Sequence, residues 1–300
     1  MSPVAIARPG LMDGKTLATA WRRALAEAVA SWTRAGGRAP GLAVVRVGDD
    51  PASAVYVRQK TVAAREAGFE VSDVVLPASA TQVQVLAALR DLGTRSDLDG
   101  LMLQLPVPGH LDTDALLEAI PPERDVDGLG VWQAGRLALG APDLRPCTPA
   151  GIMALLEAHG VALAGSRALV IGRSRIVGRP MAQLLLGADA TVTVAHSRSR
   201  DLAERVAEAE VVVVAAGRPG FLSGAAFAPG AVVIDVGIHP RPGGGLLGDV
   251  DWGGEAPAVA AWTPVPGGVG PMTVTMLLVN TWQAHGRREG HLPLAAPVPS

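Results

Sequence analysis

Several residue types are scarce in this chain, and each scarcity excludes a class of protein. A single cysteine, Cys147, allows neither a disulfide framework nor a thiolate metal site, and we predict no metal. The net charge is only -2, with both signs scattered, which argues against nucleic acid or an acidic membrane as a partner. The apolar runs, such as 211–216, are too short to span a bilayer, and no signal-peptide pattern opens the chain. We therefore expect a cytoplasmic protein.

Apolar segments alternate with helical patterns along the whole chain. The 300 residues, 49% of them hydrophobic, are enough for about two domains with real cores. In the first part, helical patterns at 13–35, 49–68 and 81–93 separate apolar strand patterns at 41–48, 71–77 and 99–106. This β-α-β-α-β order predicts a parallel sheet covered by helices.

A second series begins at about residue 168, after a junction near 145–153. Its order of strand and helix patterns is typical of a dinucleotide-binding fold. The helix pattern lies at 178–187 and the strand patterns at 168–172, 190–197, 210–217 and 231–237. The last helical pattern, 273–286, has no strand after it. We therefore expect this helix to pack back on the first domain.

One predicted helix carries the only tyrosine and one of only two lysines in the chain. An aspartate cap, Pro51 in the first turn and Gly68 as a stop define this helix. Tyr56 and Lys60 lie four residues apart and therefore share one helix face with Ser53. Burial penalises a charged amine, so a part-buried lysine can act as an acid or base, which an arginine cannot. The alternative is a solvated lysine beside a half-buried tyrosine.

Two loops follow the predicted strands with polar side chains. Gln104 ends a strand, and its amide could set the position and protonation of the nearby lysine, or simply form a loop hydrogen bond. Asp125 and Asp127 flank a valine before a glycine, in what could be an ordinary acidic turn. A carboxylate at this sheet edge could instead accept two hydrogen bonds from an amino-pyrimidinone ring.

The loop at 263–273 is unusually dense in proline and glycine. Prolines stiffen the path of the chain, and glycines let a flat ligand approach the backbone. The alternative is a rigid connector into the last helix. The residues concerned are Pro264, Pro266, Gly267, Gly268, Gly270 and Pro271.

A glycine turn between a strand and a helix, 168–181, predicts a phosphate-binding loop. Backbone N–H groups at the helix start, near Gly178, would face an anionic phosphate. The next strand ends in Ser197 and Arg198, where NAD-binding proteins usually place Asp or Glu. Hydroxyl and guanidinium groups suit a 2′-phosphate, which favours NADP over NAD. The alternative is a related fold that binds another phosphate.

Together these segments resemble the bifunctional methylenetetrahydrofolate dehydrogenase/methenyltetrahydrofolate cyclohydrolase family, the FolD type. The match runs from about residue 11 to 283, in order and without an obvious gap. It is carried by DGK at 13–15, SAVYVRQK at 53–60, QLPVP at 104–108, DVDG at 125–128, PCTP at 146–149, IGRSRIVGRPM at 171–181, DVGI at 235–238, GDVD at 248–251 and TPVPGGVGPMTVTMLL at 263–278.

The resemblance implies two α/β domains with an interdomain cleft. Residues 1–147 and 270–300 would form a three-layer, folate-binding catalytic domain, and residues 148–269 a Rossmann-type NADP-binding domain. The implied activity is NADP-dependent oxidation of 5,10-methylenetetrahydrofolate to methenyltetrahydrofolate, followed by hydrolysis to 10-formyltetrahydrofolate. The family also implies a homodimer that forms through the cofactor domain.

The resemblance also assigns roles to individual residues. Lys60 would be the acid/base of the hydrolysis, Tyr56 would pack beside it, Gln104 would tune it, and Asp127 would anchor the pterin ring. Further substrate contacts would come from Val57, Leu105, Pro266, Gly267 and Gly270. The implied cofactor contacts are Gly172, Arg173, Ser174, Ser197 and Ile238, to which the sequence adds Arg198.

Residues 129–133 depart from the family pattern, with Gln133 where an asparagine is usual. Two other functions remain open at this point. One is a single-step NADP-dependent oxidoreductase of the shikimate or amino-acid dehydrogenase kind, which would need neither the 263–273 loop nor the lysine helix. The other is a non-catalytic sensor of folate or NADPH, against which Lys60, Gln104 and Asp127 argue.

Overall fold

The computed structural model describes residues 6–241, 243–254 and 258–297. The predicted folate-binding domain includes residues 1–5 and 298–300, which lie outside the described residues. The chain divides into two compact units. We call Thr19–Cys147 with Val274–Pro297 the three-stranded unit. We call Met1–Ala18 with Thr148–Thr273 and Val298–Ser300 the six-stranded unit.

Helices and strands alternate through most of the described chain. The helices are α1 (Gly14–Arg34), α2 (Pro51–Glu66), α3 (Gln82–Thr94), α4 (Thr113–Glu118), α5 (Val131–Ala138), α6 (Cys147–Ala158), α7 (Gly178–Leu186), α8 (Leu202–Glu208) and α9 (Val269–Glu289). The strands are β1 (Gly10–Leu11), β2 (Gly41–Val47), β3 (Glu70–Leu76), β4 (Gly100–Leu103), β5 (Arg167–Ile171), β6 (Thr191–Ala195), β7 (Val211–Val214), β8 (Leu222–Ser223), β9 (Val232–Asp235), β10 (His239–Pro240), β11 (Leu246–Leu247), β12 (Val250–Asp251) and β13 (Ala261–Trp262). Short 3-10 helices lie at Pro122–Arg124 and Gly224–Ala226.

Each unit is built on a parallel sheet. The three-stranded sheet has the order β3-β2-β4, and the six-stranded sheet has the order β1-β13-β9-β7-β5-β6. The central strands β7 and β9 are buried along their whole length, as expected where helices cover both faces of a parallel sheet. Among the described residues, no helix combines the length and apolar character needed to cross a membrane.

The predicted parallel sheets and their main strands and helices are confirmed. The sequence analysis missed the short helices α4, α5 and α8 and the two-residue strands β1, β8, β10, β11, β12 and β13. Elements this short carry too few residues for a periodic pattern to be detected. The predicted start of the last helix was wrong, because α9 begins at Val269. Pro271 is compatible with this start, since a first-turn residue needs no backbone N–H.

The last helix packs within the three-stranded unit, as predicted. The buried carboxylate of Asp99 holds its end: it accepts from Arg288 at 3.0 Å, from Arg38 at 2.7 Å and from the backbone N–H of Gly41 at 2.9 Å. Donors from α9 and from the segment 38–41 compensate a charge that would otherwise be costly to bury.

A histidine pair closes the carboxyl end of α9. His285 is fully buried, and its Nδ1 lies 2.6 Å from Nε2 of His291. His291 Nδ1 lies 3.1 Å from the carbonyl of Leu292, which can only accept, so His291 Nε2 accepts and His285 Nδ1 donates. A Cβ on Gly286 would lie 2.7 Å from the His291 ring, which therefore requires glycine there.

The second nitrogen of His285, Nε2, has no hydrogen-bond partner among the described residues. Burial lowers the pKa of His285; Arg38 and His291 lower it further, and Asp99 and Glu289 oppose them. A proton added at Nε2 would be buried without an acceptor. The folded state therefore prefers the neutral ring, and this contribution to stability is present above the unfolded pKa of about 6.5 and is lost as the pH falls below it.

We predict that His285→Phe makes the free energy of unfolding less sensitive to acid. Between about pH 7.5 and pH 5.5 the wild type should lose up to about 1.4 kcal/mol per pH unit through this one proton. The variant should lack that loss. Urea midpoints at the two pH values measure it, with His110→Gln, a change at an exposed histidine, as the control. An equal acid dependence of wild type and His285→Phe would contradict the prediction.

Candidate active site

Lys60 and Gln104 form a direct hydrogen bond in the three-stranded unit. Helix α2 leaves the carboxyl end of β2, and the carboxylate of Asp50 caps it by accepting from the backbone N–H of Ser53 at 2.7 Å. Lys60 lies on this helix, and its Nζ donates to Gln104 Oε1 at 3.0 Å. The pattern at 53–60 and the strand end at Gln104 thus meet at the sheet edge where parallel sheets bind ligands.

The amide of Gln104 is held in one orientation. Its backbone N–H donates to the carbonyl of Val45 at 2.8 Å, which continues the pairing of β4 with β2. Its Nε2 donates to the carbonyl of Leu105 at 2.6 Å, so Oε1 must face the lysine. Gln104 is almost fully buried and therefore gives Lys60 a fixed acceptor.

The two other predicted contacts on α2 differ in exposure. Val57 is buried and belongs to the core of the unit. Tyr56 is 37% exposed on the face that also carries Lys60, and partial burial raises the pKa of its hydroxyl. The tyrosine hydroxyl therefore keeps its proton and can donate a hydrogen bond.

The acidic turn at 125–130 contains two carboxylates with different surroundings. Asp125 is buried and accepts from the backbone N–H groups of Gly128, Leu129 and Gly130 at 3.1, 3.3 and 2.7 Å. Burial raises its pKa to about 6, although these three donors favour the anion. Asp125 is thus the internal anchor of the turn, and Asp127 is its partly exposed carboxylate.

Cys147 lies close to both Asp127 and Lys60. Burial raises the pKa of the Cys147 thiol; the charge of Asp127 raises it further, and the charge of Lys60 lowers it. These three groups are therefore electrostatic neighbours.

Asn280, the only asparagine in the sequence, fixes the backbone next to Asp127 and Cys147. Its Nδ2 donates to the carbonyls of Val126 and Arg145, both at 2.8 Å. The sequence interpretation gave Cys147 and Asn280 no place in the site, although Cys147 lies in one of the segments that carry the family resemblance.

Gln133, the main departure from the family pattern, is buried, and both its amide nitrogen and its amide oxygen form hydrogen bonds. Its Nε2 donates to the carbonyl of Pro122 at 2.7 Å, and its Oε1 accepts from the backbone N–H of Leu144 at 3.2 Å. It ties together the segments before and after the acidic turn without entering the site.

The proline- and glycine-rich loop belongs to the six-stranded unit. The backbone N–H of Lys15 donates to the carbonyl of Gly267 at 2.8 Å, and a Cβ on Gly14 would lie 1.8 Å from the carbonyl oxygen of Gly268. A Cβ on Gly270 would lie 3.4 Å from Cδ1 of Ile238. One predicted substrate contact, Gly270, and one predicted cofactor contact, Ile238, are thus neighbours in the same unit; Pro266 is exposed in the same loop.

The strand-to-helix turn after β5 needs its glycines for close backbone packing. A Cβ on Gly172 would lie 2.1 Å from the carbonyl oxygen of Ala215, and one on Gly178 would lie 2.2 Å from that of Gly172. The expectation that N–H groups at the start of α7 face a phosphate was wrong for Gly178 and Arg179. They donate to Oγ and to the carbonyl oxygen of Ser174, because a nearby serine competes for such groups.

The side chains predicted to recognise the cofactor phosphate are exposed at one edge of the six-stranded sheet. Arg173 and Ser174 follow β5, and Ser197 and Arg198 follow the adjacent strand β6. Residues 196–200 contain no carboxylate that could bind the free hydroxyl pair of a ribose. The guanidinium and hydroxyl groups present there fit a ribose that carries a phosphate.

The predicted site residues therefore form two groups. The three-stranded unit holds Tyr56, Val57, Lys60, Gln104, Leu105 and Asp127; the six-stranded unit holds Gly172, Arg173, Ser174, Ser197, Arg198, Ile238, Pro266, Gly267 and Gly270.

Two family models match successive parts of the chain. A family model described as tetrahydrofolate dehydrogenase/cyclohydrolase, catalytic domain, matches residues 12–127, and the corresponding NAD(P)-binding domain matches residues 146–289. The bifunctional protein FolD of Parasynechococcus marenigrum is 54% identical over 279 residues, covering 93% of this chain and 95% of the relative. That of Acidiphilium cryptum is 52% identical over 278 residues, covering 93% and 98%.

Solved structures give the same result. The FolD methylenetetrahydrofolate dehydrogenase/cyclohydrolase of Campylobacter jejuni has a TM-score of 0.89 at 41% identity, covering 92% of this chain and 99% of its own. That of Trypanosoma brucei, complexed with NADP cofactor and inhibitor, has a TM-score of 0.89 at 40% identity, covering 97% and 100%. This chain belongs to the tetrahydrofolate dehydrogenase/cyclohydrolase family.

Proposed function

We propose that this protein oxidises 5,10-methylenetetrahydrofolate to 5,10-methenyltetrahydrofolate with NADP and then hydrolyses the product to 10-formyltetrahydrofolate. The observation that carries the proposal is the 3.0 Å hydrogen bond between Lys60 Nζ and Gln104 Oε1 in a chain of this family, with Cys147 close to both Lys60 and Asp127. A single-step dehydrogenase of the shikimate kind would not need this arrangement.

The oxidation depends mainly on positioning. Asp127 accepts hydrogen bonds from the amino-pyrimidinone edge of the pterin and thereby fixes the ring. Tyr56 and Leu105 contact the ring, and Val57, which is buried, supports them from the core. Pro266, Gly267 and Gly270 supply further contacts to the folate. NADP, when bound, accepts the hydride from the methylene carbon, and holding the reactants together supplies much of the acceleration.

The hydrolysis depends on proton transfer. Methenyltetrahydrofolate is a cation with an electrophilic carbon, so water can add to it once a base removes a proton. Lys60 takes this proton and returns one to the ring nitrogen as the bond to that nitrogen opens. Gln104 holds the amine in place as a neutral acceptor without adding charge.

Residues 1–147 and 270–300 bind folate, and residues 148–269 bind NADP. Arg173, Ser174, Ser197 and Arg198 hold the phosphates, with Gly172 in the tight turn, and Ile238 contacts the nicotinamide end. This assignment is supported by the position of both groups after strands of parallel sheets, where ligands bind.

We further propose a homodimer that forms through the cofactor domain. Support comes from β6, the edge strand of the six-stranded sheet, on which Thr191, Thr193 and Val194 are exposed. An exposed edge strand can pair with a second copy. A cytoplasmic location is supported by Cys147, a buried free thiol of the kind that reducing compartments preserve.

We predict that Lys60→Met and Lys60→Arg both lower the rate of methenyltetrahydrofolate hydrolysis by at least about 100-fold, since general acid–base catalysis contributes on that order. The arginine variant separates proton transfer from charge, because it remains a cation. Loss of methenyltetrahydrofolate absorbance measures the rate. Arg58→Met, which removes a cation from another face of the same helix, should leave it unchanged. Wild-type hydrolysis by Lys60→Arg would rule out the acid/base role.

We predict that Asp127→Ala raises the Kd for the folate substrate by about tenfold or more, through loss of a charge-assisted hydrogen bond, with NADP affinity nearly intact. Calorimetric titrations with each ligand measure the two affinities. Asp73→Ala, at an exposed aspartate on β3, serves as the control. An equal loss of both affinities would indicate misfolding and contradict the assignment.

We predict that Arg198→Ala raises the Kd for NADP by about tenfold and leaves the Kd for NAD within about twofold, because only NADP carries the 2′-phosphate. Arg200→Ala, which removes a neighbouring exposed guanidinium, should change neither. If both cofactors weaken equally in Arg198→Ala, the arginine does not recognise the 2′-phosphate.

A further inference from the structure

A buried carboxylate joins two loops at the carboxyl edge of the six-stranded sheet. Asp249 has no exposed surface. Its Oδ2 accepts from the backbone N–H of Gly217 at 2.9 Å, and its Oδ1 accepts from the backbone N–H of Arg218 at 3.0 Å. These donors lie in the loop that follows β7.

The same carboxylate also holds the loop that follows β9. Oδ1 of Asp249 lies 2.7 Å from Nε2 of His239, which must donate because a carboxylate only accepts. A Cβ on Gly237 would lie 2.2 Å from the backbone nitrogen of Asp249. The loop 237–239 is therefore pressed against Asp249 at one end and hydrogen-bonded to it at the other.

A second buried carboxylate fixes the segment that carries Asp249. Asp235, the last residue of β9, accepts from the backbone N–H groups of Gly237 at 2.9 Å, Asp249 at 2.8 Å and Val250 at 3.0 Å. A Cβ on Gly248 would lie 1.8 Å from Asp235 Oδ2, so the segment wraps closely around this side chain. Asp249 is thus held rigidly and can in turn hold His239.

Ile238 lies between the two fixed points of this loop. It is 37% exposed, and its Cδ1 faces Gly270 in the proline- and glycine-rich loop. Ile238 therefore projects from the carboxyl ends of the central strands toward the loop assigned to folate. The groups assigned to the cofactor phosphates, Arg173 and Arg198, follow the other strands β5 and β6.

We propose that His239 and Asp249 are positioning residues for hydride transfer. Their hydrogen bond fixes the position of Ile238, and Ile238 in turn holds the nicotinamide against the folate. The proposal rests on the proposed oxidation. Because the phosphates bind elsewhere, the pair affects the geometry of transfer more than the affinity for NADP. It has no part in the hydrolysis, which uses Lys60 and needs no hydride acceptor.

The test compares His239→Phe with His239→Gln. Phenylalanine keeps a planar ring of similar size but cannot donate, whereas the glutamine amide can donate to Asp249 from nearly the same place. For His239→Phe we expect the dehydrogenase kcat to fall about tenfold or more, since small misplacements of reacting groups are costly. The Kd for NADP and the rate of methenyltetrahydrofolate hydrolysis should stay within about twofold of wild type. His239→Gln should recover most of the lost kcat.

Three results would overturn the proposal. One is wild-type dehydrogenase kcat in His239→Phe, and another is equal impairment of the phenylalanine and glutamine variants. The third is a parallel loss of hydrolysis, which would indicate a general structural role. A wild-type protein that binds NADP and folate but forms no NADPH would instead refute the proposed oxidation, and the positioning role with it.

Discussion

The hydrogen bond between Lys60 and Gln104 is the interaction on which the chemistry depends. An amine at the end of a long side chain is useful as an acid or base only if it stays in one place. Gln104 provides that place because its own amide is fixed by Leu105 and by the sheet. Gln104 therefore acts as a fixed neutral acceptor for this amine.

In both units, buried carboxylates fix the conformation of the loops that carry the assigned site residues. Asp125 folds the acidic turn around itself with three backbone donors, and Asp127 is the partly exposed carboxylate of this turn. In the other unit Asp235 and Asp249 organise two loops in the same way. A buried anion is costly unless it is fully hydrogen-bonded. Each of these carboxylates therefore stabilises the one loop conformation that supplies its hydrogen-bond donors. The residues assigned to substrate and cofactor are carried on the loops that result.

Much of this arrangement could be predicted from the sequence. Strand and helix periodicity identified the two parallel sheets, and helical spacing together with the strand end at Gln104 brought that residue and Lys60 to one edge. The distinction between Asp125 and Asp127 came only from the family resemblance. Residue spacing alone cannot tell which of two neighbouring carboxylates turns inward.

Other features depend on contacts that local patterns do not encode. Asn280 reaches Val126 across more than half of the chain, and His239 meets Asp249 only because Gly237 and Gly248 permit a close approach. The N–H groups at the start of α7 were predicted to face a phosphate, but Ser174 accepts from them. Local competition of this kind is decided by side-chain geometry and not by residue type.

The central claim is that one protein carries out both an oxidation and a hydrolysis on the same folate. The most direct measurement follows 5,10-methylenetetrahydrofolate and NADP with the wild-type protein, recording NADPH, methenyltetrahydrofolate and 10-formyltetrahydrofolate over time. The account predicts that NADPH forms and that methenyltetrahydrofolate is converted to 10-formyltetrahydrofolate well above its rate in buffer. Formation of NADPH while methenyltetrahydrofolate disappears no faster than in buffer would contradict it.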